Sequence, residues 1–323
     1  MQWGIAGYGD VVLRRALPAL RSLGEPVAAL WGRSAEHAAI VAHAHGIPVG
    51  TDSYAELLDR ADVVYVATPV AAHVPLALEA VRVGRSVLIE KPLLGGLGGL
   101  DQAVAELSTA PVTVGVAYYR RLAPTLLRLR AMVHAPLPVR TVTVRFEFPF
   151  DPSPNSPMWW RTRRDMSGGG VLADAGSHRI DLLCWLFGPP HTVRARLADR
   201  FPGGAERRAW LGLTWCSGLW AELSAEWRPH ASADSVVVQC VEGSTITLDP
   251  LDGEVLRSSD GWRWRAPISG NLHTALFADF AAAVCDHRPP ACPLPDALHV
   301  DRILAAAEQS SAAGGQPVRV KGH

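Results

Sequence analysis

The sequence predicts an α/β protein of two domains, a doubly wound parallel sheet followed by an α+β domain with a mostly antiparallel sheet. Up to about residue 120, short apolar runs alternate with helical patterns, as in βαβ units. Beyond that point the strand-like runs interleave polar with apolar residues, as in a sheet with one covered face. Two glycines stand between the first strand and the first helix, where nucleotide-binding sheets turn.

The 323 residues are enough for two domains with their own cores, and we place the domains at residues 1–120 and 121–323. The closing helix, residues 296–312, is expected to pack back on the first domain. The strands of the first domain are predicted at Gln2–Ala6, Val27–Trp31, Val63–Ala67, Ser86–Ile89 and Val112–Val116. Its helices are predicted at Val12–Ser22, Ala35–His45, Tyr54–Arg60, Ala72–Val83 and Gly99–Leu107.

The strands of the second domain alternate polar and apolar side chains, which favours an antiparallel sheet. They are predicted at Thr141–Phe148, Val193–Ala198, Ala209–Thr214, Leu219–Glu226, Ser235–Cys240 and Ser244–Leu248, with a short one at Trp262–Trp264. Helices are predicted at Gly170–Leu186, Leu272–Cys285 and Asp296–Ala312. The proline- and serine-rich residues 149–157 form a loop.

Composition excludes several classes of partner. The net charge is zero and charged residues make up 19% of the chain, so bulk charge draws it neither to nucleic acid nor to an anionic membrane. No apolar run has the length of a membrane span, and no signal peptide precedes the first strand. The five cysteines are scattered, which indicates reduced thiols and a cytoplasmic location, and we expect no metal.

The glycine turn reads G-x-G-x-x-V and predicts a dinucleotide site. Gly7 permits the tight turn, Gly9 allows close approach of a pyrophosphate, and the helix behind them offers unpaired amides. Valine stands where a third glycine is usual. The predicted cofactor-binding residues of this turn are Gly7, Tyr8, Gly9, Asp10, Val11 and Val12.

The end of the second strand predicts the choice of cofactor. NAD-binding sheets usually carry an acid there, which holds the ribose hydroxyls. This chain has Gly32, Arg33 and Ser34 instead, a set suited to a 2′-phosphate. We therefore expect NADP(H) to be preferred, with NAD(H) possible. The alternative is that Arg33 stacks on the adenine.

Lys91 is the best single pointer to chemistry. The chain has 31 basic residues, and only Lys91 and Lys321 are lysines. Lys91 follows the apolar strand Ser86–Ile89. A lysine can donate a proton or bind an oxyanion, whereas an arginine cannot give up its proton near neutral pH. Its position could also be chance survival in an arginine-rich composition. Glu90 and Lys91 are predicted to border the cofactor.

The turn after the third predicted strand is expected to contribute to the same site. Strand ends line the ligand crevice of an open α/β sheet, so Thr68 and Pro69 are expected in the cofactor wall. His73, at the start of the next helix, is either a helix cap or a cofactor contact.

Asp174 and His178 are four residues apart on a predicted helix, so they share one face. A carboxylate beside an imidazole suits proton transfer, because histidine titrates near physiological pH. The alternative is a structural surface pair.

Together these motifs resemble the glucose–fructose oxidoreductase, inositol dehydrogenase and rhizopine catabolism (Gfo/Idh/MocA) family of NAD(P)-dependent oxidoreductases. The resemblance spans nearly the whole chain. It rests on Gly7-Tyr8-Gly9, Thr68-Pro69 with His73, Glu90-Lys91-Pro92, Tyr119-Arg120-Arg121 with Pro124, Trp160-Arg161, Gly168-Gly169-Gly170 and Asp174-x-x-x-His178-x-x-Asp181. Tyr119 departs from the family, where asparagine is common.

The resemblance implies a Rossmann domain and an open-faced sheet that often forms homodimer or homotetramer contacts. It implies that Lys91, Asp174 and His178 surround the substrate carbon, with Lys91 as proton donor or fixed charge. A sugar, cyclitol or other polyol is the expected substrate. Its predicted contacts are Tyr119, Arg120, Trp160, Arg161 and His273.

Three other functions remain open. A regulator could keep the cofactor fold without turnover, although such a protein would not need Lys91 and His178. An enzyme could oxidise and re-reduce a sugar transiently during elimination or glycoside cleavage. The third is a ketone or imine reductase in natural-product assembly.

Overall fold

The computed structural model describes residues 1–96, 98, 101–134, 138–228, 230, 232–267 and 270–321. The chain forms two compact units. Unit 1 comprises Met1–Leu94, Gly98–Tyr119 and Ser269–Ala297. Unit 2 comprises Gly95–Leu97, Arg120–Ile268 and Leu298–His323. Within the described ranges, no helix combines the length and the apolar character needed to cross a bilayer.

Unit 1 contains a six-stranded parallel sheet in the order β3-β2-β1-β4-β5-β6, which confirms the predicted doubly wound class. Its strands are β1 (Trp3–Ala6), β2 (Val27–Trp31), β3 (Val49–Thr51), β4 (Val63–Val66), β5 (Ser86–Ile89) and β6 (Val114–Val116). Strands β1, β4 and β5 are buried at every position, as a sheet covered on both faces requires.

The helices of unit 1 agree closely with the periodicity of the sequence. They are α1 (Leu17–Ser22), α2 (Ala35–Ala44), α3 (Tyr54–Arg60), α4 (His73–Arg82) and α5 (Asp101–Ser108). A π-helical segment, Val12–Ala16, runs directly into α1. The predicted start of α5 at Gly99 lies outside the described residues. The three-residue strand β3 was not predicted, because so short a run has no visible alternation.

Unit 2 contains a nine-stranded sheet in the order β14-β13-β12-β11-β7-β10-β9-β8-β15, in which only β7 and β10 pair in parallel. Its strands are β7 (Val139–Phe148), β8 (Thr192–Arg200), β9 (Glu206–Thr214), β10 (Trp220–Trp227), β11 (Ala233–Cys240), β12 (Thr245–Leu248), β13 (Val255–Ser258), β14 (Arg263–Arg265) and β15 (Val318–Arg319). The mostly antiparallel sheet is therefore confirmed. Strands β13 and β15 were not predicted.

The central strands of this sheet alternate as predicted. Val142, Val144 and Leu223 are fully buried on one face, whereas Thr143 and Arg145 are exposed on the other. Two helices, α6 (Pro124–His134) and α7 (Arg164–Ser167), precede the central helix α8 (Ser177–Phe187). Helix α6 was missed, because its sequence mixes buried Leu126 and Leu129 with exposed Leu127.

One segment of the second half returns to unit 1. Helix α9 (His273–Cys285) places Phe277 and Phe280 against Trp3, with ring centroids 5.2 and 6.1 Å apart. These aromatic side chains complete the core of unit 1. Helix α10 (Leu294–Ala312) begins in unit 1 and belongs to unit 2 from Leu298 onward. The packing of residues 296–312 on the first domain stays a prediction.

Candidate active site

The carboxyl ends of the parallel strands of unit 1 meet at one edge of the sheet, and the predicted residues of this unit follow them in order. Arg33 follows β2, Gly7 follows β1, Thr68 follows β4, Lys91 follows β5 and Tyr119 follows β6. The chain order reverses between β1 and β4, which is where open α/β sheets bind their ligands.

The glycine turn is shaped to receive a phosphate group. Gly7 has a φ of +104°, and a Cβ there would stand 2.5 Å from the carbonyl oxygen of Ala67. Glycine is required at this position for both reasons. A Cβ on Gly9 would meet no atom within 4 Å, so the space in front of the turn is open.

Three other residues, Asp10, Val11 and Val12, complete the glycine turn. Val12, at the third glycine's position, is fully buried and contributes to the core. The exposed Asp10 carboxylate pairs with Arg14 at 2.6 Å, which offsets a negative charge beside the phosphate position. Val11 is half-buried at the start of the helix.

The end of β2 holds no carboxylate. Gly32 lies under the ring of Tyr8, which occupies the place where a Cβ would project. Arg33 is exposed. The Ser34 hydroxyl accepts a hydrogen bond from the His37 amide at 3.3 Å and caps α2, and its own hydrogen stays available for donation.

The turn after β4 offers an unused polar atom. The buried Thr68 Oγ1 has no hydrogen-bond partner among the described residues. Buried hydroxyls are rarely left unpaired, so this atom fits a ligand group. Pro69 precedes a short 3-10 turn, Val70–Ala72. Together with the open space at Gly9, these features fit a dinucleotide.

The ring of His73 contacts two turns of the chain. Its Nδ1 lies 2.9 Å from the carbonyl oxygen of Pro92, and its Nε2 lies 2.9 Å from that of Thr68. The ring is 1% exposed. Burial lowers the pKa of His73 to about 4, so the ring is neutral near pH 7. His73 therefore links the two turns, and its contact with the cofactor stays a prediction.

Glu90 supports the lysine beside it. Its buried carboxylate accepts a hydrogen bond from the Tyr65 hydroxyl at 2.5 Å and one from the Lys91 amide at 3.2 Å. The predicted contact of Glu90 with the cofactor stays a prediction. Lys91 itself is half-buried, and its peptide bond to Pro92 is cis.

Tyr119 and His273, both predicted substrate contacts, come together in unit 1. Their ring centroids are 4.4 Å apart with the planes inclined by 31°. His273 is 6% exposed, whereas Tyr119 is half-buried. The pair forms an aromatic surface beyond the end of β6, the outermost strand on the Lys91 side.

In unit 2, Asp174 lies in a π-helical segment, Leu172–Gly176, which runs directly into α8 with His178 near its start. Such segments often occur at functional sites. The Arg161 Nη1–H donates to Asp174 Oδ2 at 3.1 Å, and both side chains are partly exposed. His178 is 7% exposed. The guanidinium of Arg161 lies 5.6 Å from the ring of Trp160.

Buried ion pairs fix α8 on its other sides. Arg179 donates to Asp234 at 2.5 Å and lies over the Phe146 ring at 4.2 Å. Arg121 pairs with Asp181 at 2.6 Å, and both side chains are almost fully buried. These partners lie far apart in sequence, and no local pattern pointed to them.

Arg120 forms an ion pair within unit 2. Its guanidinium donates two hydrogen bonds to Asp252, at 2.8 and 2.7 Å, and its side chain is 9% exposed. The guanidinium also lies 4.0 Å from the carboxylate of Asp234. The predicted contact of Arg120 with the substrate stays a prediction.

Glu206 is a site residue that sequence reasoning missed. Its carboxylate accepts hydrogen bonds from the amides of Gly170 and Leu172, at 2.9 and 3.0 Å, where the segment carrying Asp174 begins. A Cβ on Gly170 would collide with the Glu206 backbone, which explains why the third residue of the motif Gly168-Gly169-Gly170 is a glycine. The acid stands 34 residues from Leu172, so no local signal marked it.

The parallel sheet of unit 1 and its glycine turn define a dinucleotide-binding oxidoreductase. Residues 1–118 match the family model described as "Oxidoreductase family, NAD-binding Rossmann fold". Residues 128–246 match that of the GFO/IDH/MocA C-terminal domain. The chain therefore belongs to the Gfo/Idh/MocA family of NAD(P)-dependent dehydrogenases and reductases, as the motifs predicted.

Curated relatives extend the match over most of the chain. The 1,5-anhydro-D-fructose reductase of Ensifer adhaerens is 28% identical over 299 residues, 90% of either chain. A putative UDP-kanosamine synthase oxidoreductase subunit of Amycolatopsis mediterranei is 30% identical over 276 residues, 76% of this chain and 73% of its own. An aldose-aldose oxidoreductase from Caulobacter crescentus, solved with glycerol, has the same fold, with a TM-score of 0.87, 23% identity and 99% coverage of both chains.

Glu206 predicts a pH dependence of stability. Burial raises the pKa of its carboxyl and outweighs the amide hydrogen bonds that lower it. A raised pKa in the folded state means that stability is greatest below the ordinary pKa and is lost as the pH rises through the raised value. Glu206→Gln is uncharged throughout. Its unfolding free energy relative to wild type should therefore rise as the pH increases from about 4 to about 7.

Urea unfolding at a series of pH values measures this difference. Glu242→Gln, the same substitution in an exposed turn, is the matched control. A difference for Glu206→Gln that falls with rising pH would contradict the assigned burial effect.

Proposed function

We propose that the protein transfers a hydride between NADP(H) and a secondary alcohol or ketone carbon of a sugar, cyclitol or sugar derivative. The observation that carries the proposal is Lys91, half-buried at the carboxyl end of β5, which pairs with β4, the strand that Thr68 follows. The names of the relatives support a sugar as substrate, since one is an anhydrofructose reductase and another a UDP-kanosamine synthase subunit.

Each catalytic residue has a distinct role in this proposal. The nicotinamide, when bound, supplies or accepts the hydride. His178 takes the proton of the substrate hydroxyl during oxidation and returns it during reduction. Lys91 donates a hydrogen bond to the reacting oxygen and stabilises its developing negative charge. Asp174 accepts a hydrogen bond from a neighbouring hydroxyl.

The other predicted contacts, taken in each unit by itself, favour a substrate rich in hydroxyl groups. The Arg161–Asp174 pair offers hydrogen-bond donors beside an acceptor, which matches two adjacent hydroxyl groups. The Tyr119–His273 rings offer an apolar face for the C–H side of a sugar ring. Trp160, half-buried beside Arg161, is proposed as a further contact.

A dehydrogenase screen over polyols, aminosugars and nucleotide sugars, with NADP⁺ and NAD⁺, tests the proposal. Net reduction of the cofactor with one of these classes supports it. Product formation without net cofactor turnover would instead indicate transient redox during elimination or cleavage. Tight cofactor binding without turnover of any alcohol, ketone or imine would indicate a regulator.

Lys91→Ala should reduce turnover by about 10²–10³-fold, the effect of removing one donor to a developing oxyanion. The affinity for NADP(H) should change little. Steady-state kinetics and calorimetric titration of the cofactor measure the two effects. Lys321→Ala, which removes the other lysine from an exposed position, is the matched control. Near-normal turnover of Lys91→Ala would remove the lysine from the mechanism.

Cofactor preference is tested at Arg33. We expect the Kd for NADPH to be lower than that for NADH, because the end of β2 has an exposed arginine and no carboxylate. Arg33→Ala should weaken NADPH binding by about 10-fold or more, in keeping with a lost charge-assisted hydrogen bond, and leave NADH binding nearly unchanged. Tighter binding of NADH by the wild-type protein would overturn the preference.

We also propose a homodimer or homotetramer formed through the exposed face of the sheet in unit 2. Trp220 is 37% exposed on this face, and exposed aromatic side chains are common at subunit interfaces. Trp220→Asp should lower the molar mass measured by light scattering. A wild-type mass of one protomer, 34.7 kDa, would contradict the assembly.

A further inference from the structure

Two buried polar side chains that the proposed mechanism does not use hold the residues on either side of Lys91. Tyr65 contacts the side chain of Glu90, the residue before the lysine, at 2.5 Å. His73 contacts the carbonyl oxygen of Pro92, the residue after it, at 2.9 Å. Tyr65 is fully buried and His73 is 1% exposed, so neither is placed to touch a substrate.

The Tyr65–Glu90 contact is built into the core of unit 1. Tyr65 lies on β4, and its ring packs edge-on against Phe277 at 5.1 Å. Burial and the neighbouring Glu90 raise the pKa of Tyr65, so the phenol keeps its proton and stays a donor. The other carboxylate oxygen of Glu90 receives the Lys91 amide at 3.2 Å. The tyrosine therefore orients a carboxylate that in turn orients the lysine's backbone.

His73 lies on the other side of Lys91, and its effect there depends on which of its ring nitrogens carries the proton. A neutral imidazole has one N–H, yet its two nitrogens face two carbonyl oxygens, those of Thr68 and Pro92. Only one of the two can receive a hydrogen bond at a time. Donation from Nδ1 holds Pro92, whereas donation from Nε2 holds Thr68.

We infer that Tyr65 and His73 are positioning residues that fix the Lys91 turn and thereby direct the lysine ammonium toward its substrate. The catalytic part of this inference rests on the proposed function. The placement of the lysine itself does not, and it can be measured without turnover. A merely structural role would alter stability without altering the environment of the Lys91 ammonium.

The composition of the chain makes that environment accessible to spectroscopy. Reductive methylation with ¹³C-formaldehyde labels lysine amines, and the chain has two lysines, Lys91 and Lys321. The exposed Lys321 provides the reference position of a solvated lysine, and Lys321→Arg assigns the remaining lysine signal to Lys91.

Tyr65→Phe is the first test, because it removes one hydroxyl and keeps the ring. The ¹³C resonance of Lys91 should move toward that of Lys321. The kcat of the unlabelled variant should fall by about 10–100-fold, the range for a misplaced catalytic group, while the KM for the cofactor stays within about twofold. Tyr54→Phe is the matched control: Tyr54 is also buried in unit 1, but its hydroxyl donates to the Leu76 carbonyl at 2.9 Å.

His73→Asn and His73→Gln separate the two contacts of the imidazole. Asparagine places its amide donor near the position of Nδ1, and glutamine places its donor near that of Nε2. The inference predicts that the asparagine variant keeps the Lys91 resonance and most of kcat. The glutamine variant should lose both, even where the two have equal thermal stability.

An unmoved Lys91 resonance in both Tyr65→Phe and His73→Gln, with each variant folded, would overturn the inference. Equal effects of Tyr65→Phe and Tyr54→Phe on the resonance would do the same. If the resonance moves as expected but no sugar is turned over by the wild-type protein, the placement of Lys91 is upheld and the proposed function fails.

Discussion

The parallel sheet of unit 1 is the constraint on which the rest of that unit depends. Parallel strands end on the same edge, so residues far apart in the chain become neighbours there without any contact between their side chains. The glycine turn, the Thr68 turn and the Lys91 turn are all products of this geometry. The close approach of Gly7 to Ala67 shows how tightly the turns are packed, since no side chain would fit between them.

Buried polar groups fix the positions of the residues that follow these strands. In unit 1 the groups are Tyr65, Glu90 and His73 around the lysine. In unit 2 they are the ion pairs of Arg121 and Arg179, which hold α8, the helix that carries His178. Burying a charge costs more free energy than a surface ion pair contributes. Breaking a buried ion pair is strongly destabilising, because it leaves an unpaired charge in the core. The chain keeps these groups next to its candidate catalytic residues, where position matters most.

Much of the fold, and part of the candidate site, could be predicted from residue patterns. The apolar runs located five of the six strands of unit 1, because a strand buried on both faces has no polar positions. Glycine spacing located the nucleotide turn, and composition singled out Lys91. What residue patterns could not predict was the set of partners that polar side chains find within the chain. His73, Glu90 and Arg120 all stand in motifs, and the structure shows that each also contacts another part of the protein.

The sequence by itself determined the fold class, the family and the candidate residues at strand ends, because periodicity and glycine turns act over a few residues. Only the tertiary structure decided the partners of the buried charges. Arg121 meets Asp181 across 60 residues and Arg120 meets Asp252 across 132. Such pairs depend on how whole elements pack, since each charge is stable in the core only where its counter-charge arrives.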